Sequence, residues 1–123
     1  MNNEIIERWF EFVRKQKQIE NSLEHELSGA NESLALNEFY VLYFLNQEEN
    51  KKLRLQKLQE LVGLSQSAMS RLIARLEAKE CGVIERSICD KDKRGVYIHL
   101  TAKGENTLKE YASKVAGVLK KEL

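Results

Sequence analysis

Apolar residues recur at three- and four-residue spacing over the first 27 residues of the chain, and this spacing predicts an amphipathic helix. A helix over residues 4–27 would be about 36 Å long, whereas a domain of this size has a radius of gyration of about 14 Å. We therefore expect the helix to extend beyond its own domain and to need a second surface over its apolar stripe. That stripe comprises Ile6, Trp9, Phe10, Val13, Ile19, Leu23 and Leu27.

The next segments predict a core helix followed by two short helices. Residues 37–47 are apolar on almost every side, which is typical of a helix in a core, and the charged residues 48–52 predict a connector. A helix near 55–62 should end at Gly63, because glycine readily adopts the left-handed conformation that closes a helix. Ser65 is a suitable N-cap for the following helix. Two short helices with a tight turn between them predict a helix-turn-helix.

The hydrophobic period changes to two after Gly82. Residues 84–88 and 96–100 alternate between apolar and polar positions, which predicts two half-buried strands. The polar segment between them predicts a hairpin loop, and Thr101 can cap a last helix. The predicted fold is therefore mainly α with a small β-hairpin. The apolar stripe of the last helix is Leu108, Tyr111, Ala112, Val115 and Leu119.

Composition narrows the class of protein. The chain has 123 residues, of which 42% are apolar, enough for one domain with a core and not comfortably for two. No apolar run approaches the roughly 20 residues that cross a bilayer, and the first ten residues do not resemble a secretory signal. Two cysteines are too few for a disulfide framework. We therefore expect a cytoplasmic protein with no membrane partner.

The formal net charge of +1 hides a separation of charge along the chain. Residues 1–50 carry four basic and ten acidic residues, and residues 51–100 carry eleven basic and six acidic ones. An acidic first part and a basic middle predict one surface for a polyanion and another for something else. Ordinary solvated helix faces would also explain the separation.

The second helix of the predicted helix-turn-helix has two contrasting faces. Met69, Leu72, Ile73 and Leu76 fall within an arc of about 100°, which predicts the core face. The opposite arc contains small, hydroxyl and basic residues and no acid before Glu77. Such a face suits a DNA major groove, where arginine bonds guanine edges or phosphates; an ordinary surface helix is the alternative. The residues of this arc are Ser67, Ser70, Arg71, Ala74 and Arg75.

The predicted hairpin loop carries charges of both signs, on Asp90, Lys91, Asp92, Lys93 and Arg94. A solvated hairpin tip would explain these charges without a function. However, an arginine next to glycine on a hairpin beside a helix-turn-helix suits a narrow, negative minor groove. Asp92 could pair with Arg86 or Arg94 and stiffen the tip.

Five segments together resemble the MarR family of bacterial winged-helix transcription regulators. Lys93 stands where the family's wing usually has the first of two arginines, and lysine cannot make a forked contact. The short chain is also similar to the staphylococcal accessory regulators, the SarA-like branch. The matching segments are LQELVGLS (58–65), MSRLIARLE (69–77), VIER (83–86), DKDKRG (90–95) and LTAKG (100–104).

The resemblance implies a winged helix-turn-helix (35–101) flanked by long N- and C-terminal dimerisation helices (1–34 and 102–123) within a single MarR-like domain, 1–123. The protein would form a homodimer on a palindromic operator in double-stranded DNA. Ser67, Ser70 and Arg71 would face the bases. Gln66 and Arg75 would contact bases or phosphates, and Arg94 would enter the minor groove. We add Ser65, Arg86, Lys91 and Lys93 to this DNA-binding set and assign Asp92 to stabilising the wing.

The predicted function is therefore a sequence-specific repressor whose DNA affinity is changed by a small-molecule effector. The effector would lie where the dimerisation helices meet the winged region, against Trp9, Phe10, Phe39 and Tyr43; an aromatic stripe at helical spacing is more often plain core. Two other functions fit the sequence. One is a winged-helix module that binds proteins and not DNA, and the other is a regulator that senses metal or thiol oxidation.

Residues with catalytic or metal-binding chemistry are sparse. The two histidines are His25 and His99 and the two cysteines are Cys81 and Cys89, and they lack the close spacing of the four or so ligands that zinc prefers. No phosphate-binding loop, nucleophile motif or catalytic carboxylate pair is recognisable. We therefore expect no enzymatic activity, no cofactor and no bound metal.

Overall fold

The computed structural model describes residues 2–29, 34–78, 82–88 and 95–123. Within these ranges the chain forms five helices and three strands, and none of these helices is long and apolar enough to span a membrane. The predicted mainly α fold with a hairpin is confirmed. The elements are α1 (Asn3–Leu27), α2 (Leu36–Gln47), β1 (Lys52–Arg54), α3 (Leu55–Val62), α4 (Gln66–Ala78), β2 (Ile84–Ile88), β3 (Val96–Leu100) and α5 (Ala102–Glu122).

The chain divides into two compact units. The first unit contains Met1–Leu36 and Ala112–Leu123, and the second contains Asn37–Tyr111. The sequence-based division places all of α5 with the dimerisation helices. In the structure its first half belongs to the unit that carries the helix-turn-helix.

In the first unit, α1 changes character along its length. Ile19, Leu23 and Leu27 are buried and Val13 is half-buried, whereas five apolar residues nearer the N-terminus have between 45% and 61% of their surface exposed. Trp9 and Phe12 stack on each other, with ring centroids 6.1 Å apart. The N-terminal half of α1 therefore presents an apolar surface to solvent, as its length predicts. Its exposed members are Ile5, Ile6, Trp9, Phe10 and Phe12.

In the second unit, the core lies against the buried side of α4. The predicted core face of α4 is confirmed, since its four apolar residues are at most 1% exposed. In α2, Leu42 and Leu45 are fully buried, so the helix lies in the core as expected, although Tyr43 is 45% exposed. The most deeply buried side chains of this unit include Leu42, Leu45, Leu58, Met69, Leu72, Ile73, Leu76 and Ile98.

The sheet has three strands, one more than the two of the predicted hairpin. Its order is β1-β3-β2, antiparallel throughout, and β1 begins at the last residue of the predicted connector and ends just before the predicted helix at 55–62. Only Leu53 of its three residues is buried, so β1 has no hydrophobic alternation for a sequence pattern to detect. The strand forms because β3 offers it a hydrogen-bonding edge, with Lys52 opposite His99 and Arg54 opposite Tyr97.

The predicted helix ends are confirmed at three positions. Gly63 adopts the left-handed conformation with φ 82°, and its N–H donates to the Gln59 carbonyl at 2.9 Å. The Ser65 hydroxyl accepts from the N–H of Ala68 at 3.2 Å, which caps α4. The Thr101 hydroxyl accepts from the N–H of Gly104 at 3.0 Å and caps α5 in the same way. Side-chain caps of this kind satisfy donors that a helix leaves unpaired.

Candidate nucleic-acid interface

The outward side of α4 carries the hydrogen-bonding groups that sequence analysis assigned to it. Gln66, Ser67, Ser70, Arg71 and Arg75 are all exposed; the last four lie on the side of the helix opposite its buried residues, and Gln66 lies at the edge of that side. The first turn of α4 contains no acidic residue. The structure therefore places all five predicted side chains on one exposed polar surface, which we call the α4 polar face. Ser65 is exposed too, but its hydroxyl is engaged as the cap.

The acidic residue at the end of α4, Glu77, is engaged by a basic one. Arg86 Nη2 donates to Glu77 Oε1 at 2.7 Å, with 42% of the Arg86 side chain and 34% of the Glu77 side chain exposed. Because Arg86 lies on β2, the pair links the last turn of α4 to the sheet. Arg86 was predicted to contact DNA and was one of two possible partners of Asp92; in the structure it pairs with Glu77.

The tip of the predicted wing lies outside the described residues. Lys91, Asp92, Lys93 and Arg94 belong to that segment, as do Cys81 and Cys89. Of the two strands that lead to it, β2 ends at Ile88, which is 66% exposed. The Ser87 hydroxyl and His99 Nε2 form a hydrogen bond of 2.6 Å. This side-chain bond links β2 and β3 in addition to their backbone pairing.

A polar cleft of about 460 Å³ lies between α3, α4 and the start of β3. It brings Gln66 and Ser70 of the α4 polar face together with Arg54, a residue that sequence analysis did not select. Its walls offer a guanidinium, carboxamides and a hydroxyl, which are groups that bond phosphates and base edges, and also one carboxylate, that of Glu60. The polar lining includes Arg54, Gln56, Gln59, Glu60, Gln66 and Ser70.

Arg54 also belongs to a cluster around Tyr97 that the sequence analysis missed. Lys52 Nζ lies 5.3 Å from the centroid of the Tyr97 ring, and Arg54 Cζ lies 5.6 Å from it. Arg54 Nε donates to the Tyr97 hydroxyl at 3.2 Å. The available signal was the basic run at residues 51–57, but Tyr97 is 43 residues from Arg54 and only strand pairing brings it near.

The four aromatic residues proposed for an effector site have different environments. Trp9 and Phe10 of the first unit are 60% and 48% exposed. In the second unit Phe39 is buried at 5% exposure, while Tyr43 is 45% exposed and packs edge-on against Phe44. Two of the four side chains are therefore exposed on α1, and the two on α2 differ, with Phe39 buried and Tyr43 exposed.

Metal-binding side chains do not gather in the described parts of the chain. Across residues 2–29, 34–78, 82–88 and 95–123, no three histidine, cysteine, aspartate or glutamate residues are grouped so that they could hold a metal ion. His99 is bonded to Ser87, which accounts for one of its ring nitrogens. The described residues therefore offer no metal centre from which to argue a function.

Comparison with known proteins places this site in a family. The sequence model of the MarR family matches residues 34–96, which contain α2, the helix-turn-helix and the segment up to the start of β3. A search of curated protein sequences finds no match.

Solved structures share the fold over most or all of the chain. Sco3205, a MarR family transcriptional regulator from Streptomyces coelicolor solved in complex with DNA, has a TM-score of 0.89 and 23% identity, over 100% of this chain and 75% of that one. A mutant MarR from E. coli, complexed with operator DNA, has a TM-score of 0.80 and 24% identity, over 100% and 86%. BpsR from Bordetella bronchiseptica, whose DNA binding is regulated by 6-hydroxynicotinic acid, has a TM-score of 0.74 and 18% identity, over 90% and 82%.

Proposed function

The chain belongs to the MarR family, and on this premise we propose that it is a homodimeric, sequence-specific DNA-binding regulator of transcription. We assign it the role of a repressor whose affinity for a palindromic operator is changed by a small-molecule effector. Since its ligand would be chromosomal DNA, we place it in the cytoplasm. The observation that carries the proposal is the α4 polar face.

The α4 polar face has the size and chemistry of a DNA-reading surface. The 13 residues of α4 give a helix about 20 Å long, and the major groove admits a helix because it is about 12 Å wide. Small side chains at Ser67, Ser70 and Ala74 let the backbone approach the bases. Arg71 supplies a guanidinium for a guanine edge or a phosphate, and Arg75 lies one turn further on.

The neighbouring predicted residues complete the proposed contact set. Gln66, at the start of α4, lies where backbone N–H groups favour a phosphate. We propose that Arg86 contributes indirectly, by holding the carboxylate of Glu77, because the two side chains are 2.7 Å apart. We retain Arg94 for the minor groove, Lys91 and Lys93 for the backbone, and Asp92 for stabilising the wing.

The exposed apolar part of α1 supports the homodimer. Residues such as Trp9 and Phe12 are 60% and 61% exposed, and large exposed apolar patches mark interaction sites on soluble proteins. A dimer with two-fold symmetry would present two copies of α4, and this symmetry matches a palindromic operator. Residues Trp9, Phe10, Phe39 and Tyr43 remain our candidates for contacts with an effector.

A binding experiment tests this function directly. Duplexes selected by the purified protein from fragmented genomic DNA are labelled, and binding is measured by fluorescence anisotropy at increasing salt. We expect the affinity to fall by orders of magnitude between low and moderate salt, because each phosphate contact releases counterions. If no duplex binds even at low salt, the protein is not a DNA-binding regulator, and the alternative of a protein-binding winged helix gains support.

A further inference from the structure

The outer face of the sheet carries a basic and aromatic surface at its β1 edge. Paired residues of neighbouring antiparallel strands share a face, so the register places Lys52, Arg54, Tyr97 and His99 together. Leu53, between the two basic residues, is 8% exposed and lies on the opposite, buried face. The two cations are therefore fixed to the solvent side of the sheet by strand alternation.

The Tyr97 ring restrains both cations. Lys52 Nζ and Arg54 Cζ lie 5.3 and 5.6 Å from its centroid, within the range of about 6 Å over which an aromatic ring attracts a cation. The Arg54 side chain is also held by its bond to the Tyr97 hydroxyl. The ring therefore keeps two positively charged groups side by side, where one polyanion can contact both.

The charges around the ring favour an anionic partner. A groove of about 500 Å³ beside Tyr97 is lined by Lys52, Arg54 and Lys57, and also by Glu48 and Glu49. The three cations outnumber the two carboxylates. Both cations nearest the ring are exposed, so a phosphate can reach them without displacing the core.

Arg54 connects this surface to the α4 polar face. It lines the groove beside Tyr97 and also the cleft that contains Gln66 and Ser70. A DNA strand seated against α4 therefore meets Arg54 at the border of the bases that α4 reads. This continuity favours the backbone of the same DNA molecule as the partner, because DNA bound to α4 already lies next to Arg54. An acidic peptide would not be held there by α4.

We propose that Lys52, Arg54 and Tyr97 form a second phosphate-binding surface, which holds the DNA backbone next to the bases read by α4. This inference rests on the proposed function. In it, Tyr97 is a positioning residue: the ring holds Lys52 and Arg54, and the two cations make the phosphate contacts. The surface adds affinity without sequence preference, because phosphate contacts carry no base information.

Neutral phosphates test the inference position by position. A duplex selected by the wild-type protein is synthesised with one methylphosphonate at a time, and affinities are measured for the wild type and for Lys52→Gln. We expect phosphate positions next to the bases read by α4 at which the methylphosphonate lowers the affinity of the wild-type protein. At these positions it should not lower the affinity of the Lys52→Gln variant. We also expect the variant to lower the magnitude of the salt slope by about 2 per dimer, one for each lost contact per protomer.

Two further variants separate the cations from the ring, and one serves as a control. Tyr97→Ile should weaken the contacts of both cations, so it should reduce sensitivity at the positions that Lys52→Gln affects and at the neighbouring Arg54 position as well. Tyr97→Phe keeps the ring and loses only the bond to Arg54, so it should retain the wild-type pattern at the Lys52 positions. Lys109→Gln removes an exposed lysine of α5 and should leave every position as in the wild type. Thermal unfolding of each variant verifies that the fold is intact.

The outcomes distinguish this inference from the function on which it rests. If the wild type binds its duplex and Lys52→Gln shows the same pattern of sensitive phosphates, the second phosphate surface is wrong and the proposed function stands. If the wild type selects no duplex, the proposed function itself fails, and this inference fails with it.

Discussion

Arg86 Nη2 lies 2.7 Å from Glu77 Oε1 and joins the last turn of α4 to β2. The two side chains are 42% and 34% exposed, so the pair contributes little to stability, about 0–1 kcal/mol. Its importance is electrostatic, because Arg86 offsets the negative charge of the Glu77 carboxylate at the end of the α4 polar face.

This pair predicts a specific pattern of DNA affinities. Arg86→Gln should weaken binding, because the freed Glu77 carboxylate repels DNA phosphates. Glu77→Gln alone should not weaken it, and in the Glu77→Gln background the Arg86→Gln change should have little further effect. Anisotropy titrations of the two single variants and the double variant measure this coupling. An undiminished loss in the Glu77→Gln background would mean that Arg86 contacts DNA itself.

Changes on the α4 polar face should alter which sequence is preferred. Arg71→Lys replaces a forked donor by a point charge, so discrimination at one base pair of each half-site should fall by about 1–3 kcal/mol. Affinity for unrelated duplexes should change little, because the positive charge is kept. Competition between the selected duplex and its single-base variants checks this. A uniform loss over all duplexes would assign Arg71 to the backbone.

The wing arginine should affect all duplexes that carry the operator. Arg94→Ala removes the side chain assigned to the minor groove, whose negative potential attracts arginine, so affinity should drop for every operator variant. Arg94→Lys should recover part of that loss because it restores the charge. Titration of the three proteins against the same duplex set decides the matter. Unchanged affinity in Arg94→Ala would show that the assignment of the wing is wrong.

Two glycines of α5 should respond oppositely to alanine. A Cβ at Gly104 would collide with the Val83 carbonyl and approach Leu100 Cδ1 to 2.5 Å, whereas a Cβ at Gly117 meets nothing within 4 Å. Gly104→Ala should therefore destabilise the fold by about 1–3 kcal/mol, as overpacking does. Gly117→Ala should stabilise it by about 0.5–1 kcal/mol, since alanine favours helix. Urea denaturation measures both; equal effects would contradict the close approach at Gly104.

The exposed end of α1 should control dimerisation. Trp9→Glu or Phe12→Glu introduces a charge into the apolar surface and should yield a monomer, since burying an unpaired charge is costly. Lys15→Glu, also exposed on α1, is the matched control and should leave the dimer intact. Analytical ultracentrifugation gives the mass, and circular dichroism verifies helicity. A Trp9→Glu protein that remains dimeric would exclude this surface as the interface.

The elements that local spacing specifies were predictable. The helical period over α4, the left-handed glycine at Gly63 and the Ser65 cap all depend on residues within one or two turns of each other, and the structure shows each of them. The two hairpin strands are equally local and form as predicted, but β2 is not half-buried, since only Ile84 of its five residues is buried. The order of elements along the chain followed from the same local patterns, and the MarR resemblance added the expected dimer and the roles of individual residues.

The sequence by itself determined the helices, the hairpin strands and the polar face of α4, because hydrophobic periodicity and capping act over short separations. Only the tertiary structure decided that Lys52–Arg54 is a strand, that Tyr97 gathers Lys52 and Arg54, and that Arg86 pairs with Glu77. A three-residue edge strand has too little pattern of its own. Its existence, and the partners of the side chains it carries, depend on the register with β3, which is 43 residues away at Arg54 and Tyr97.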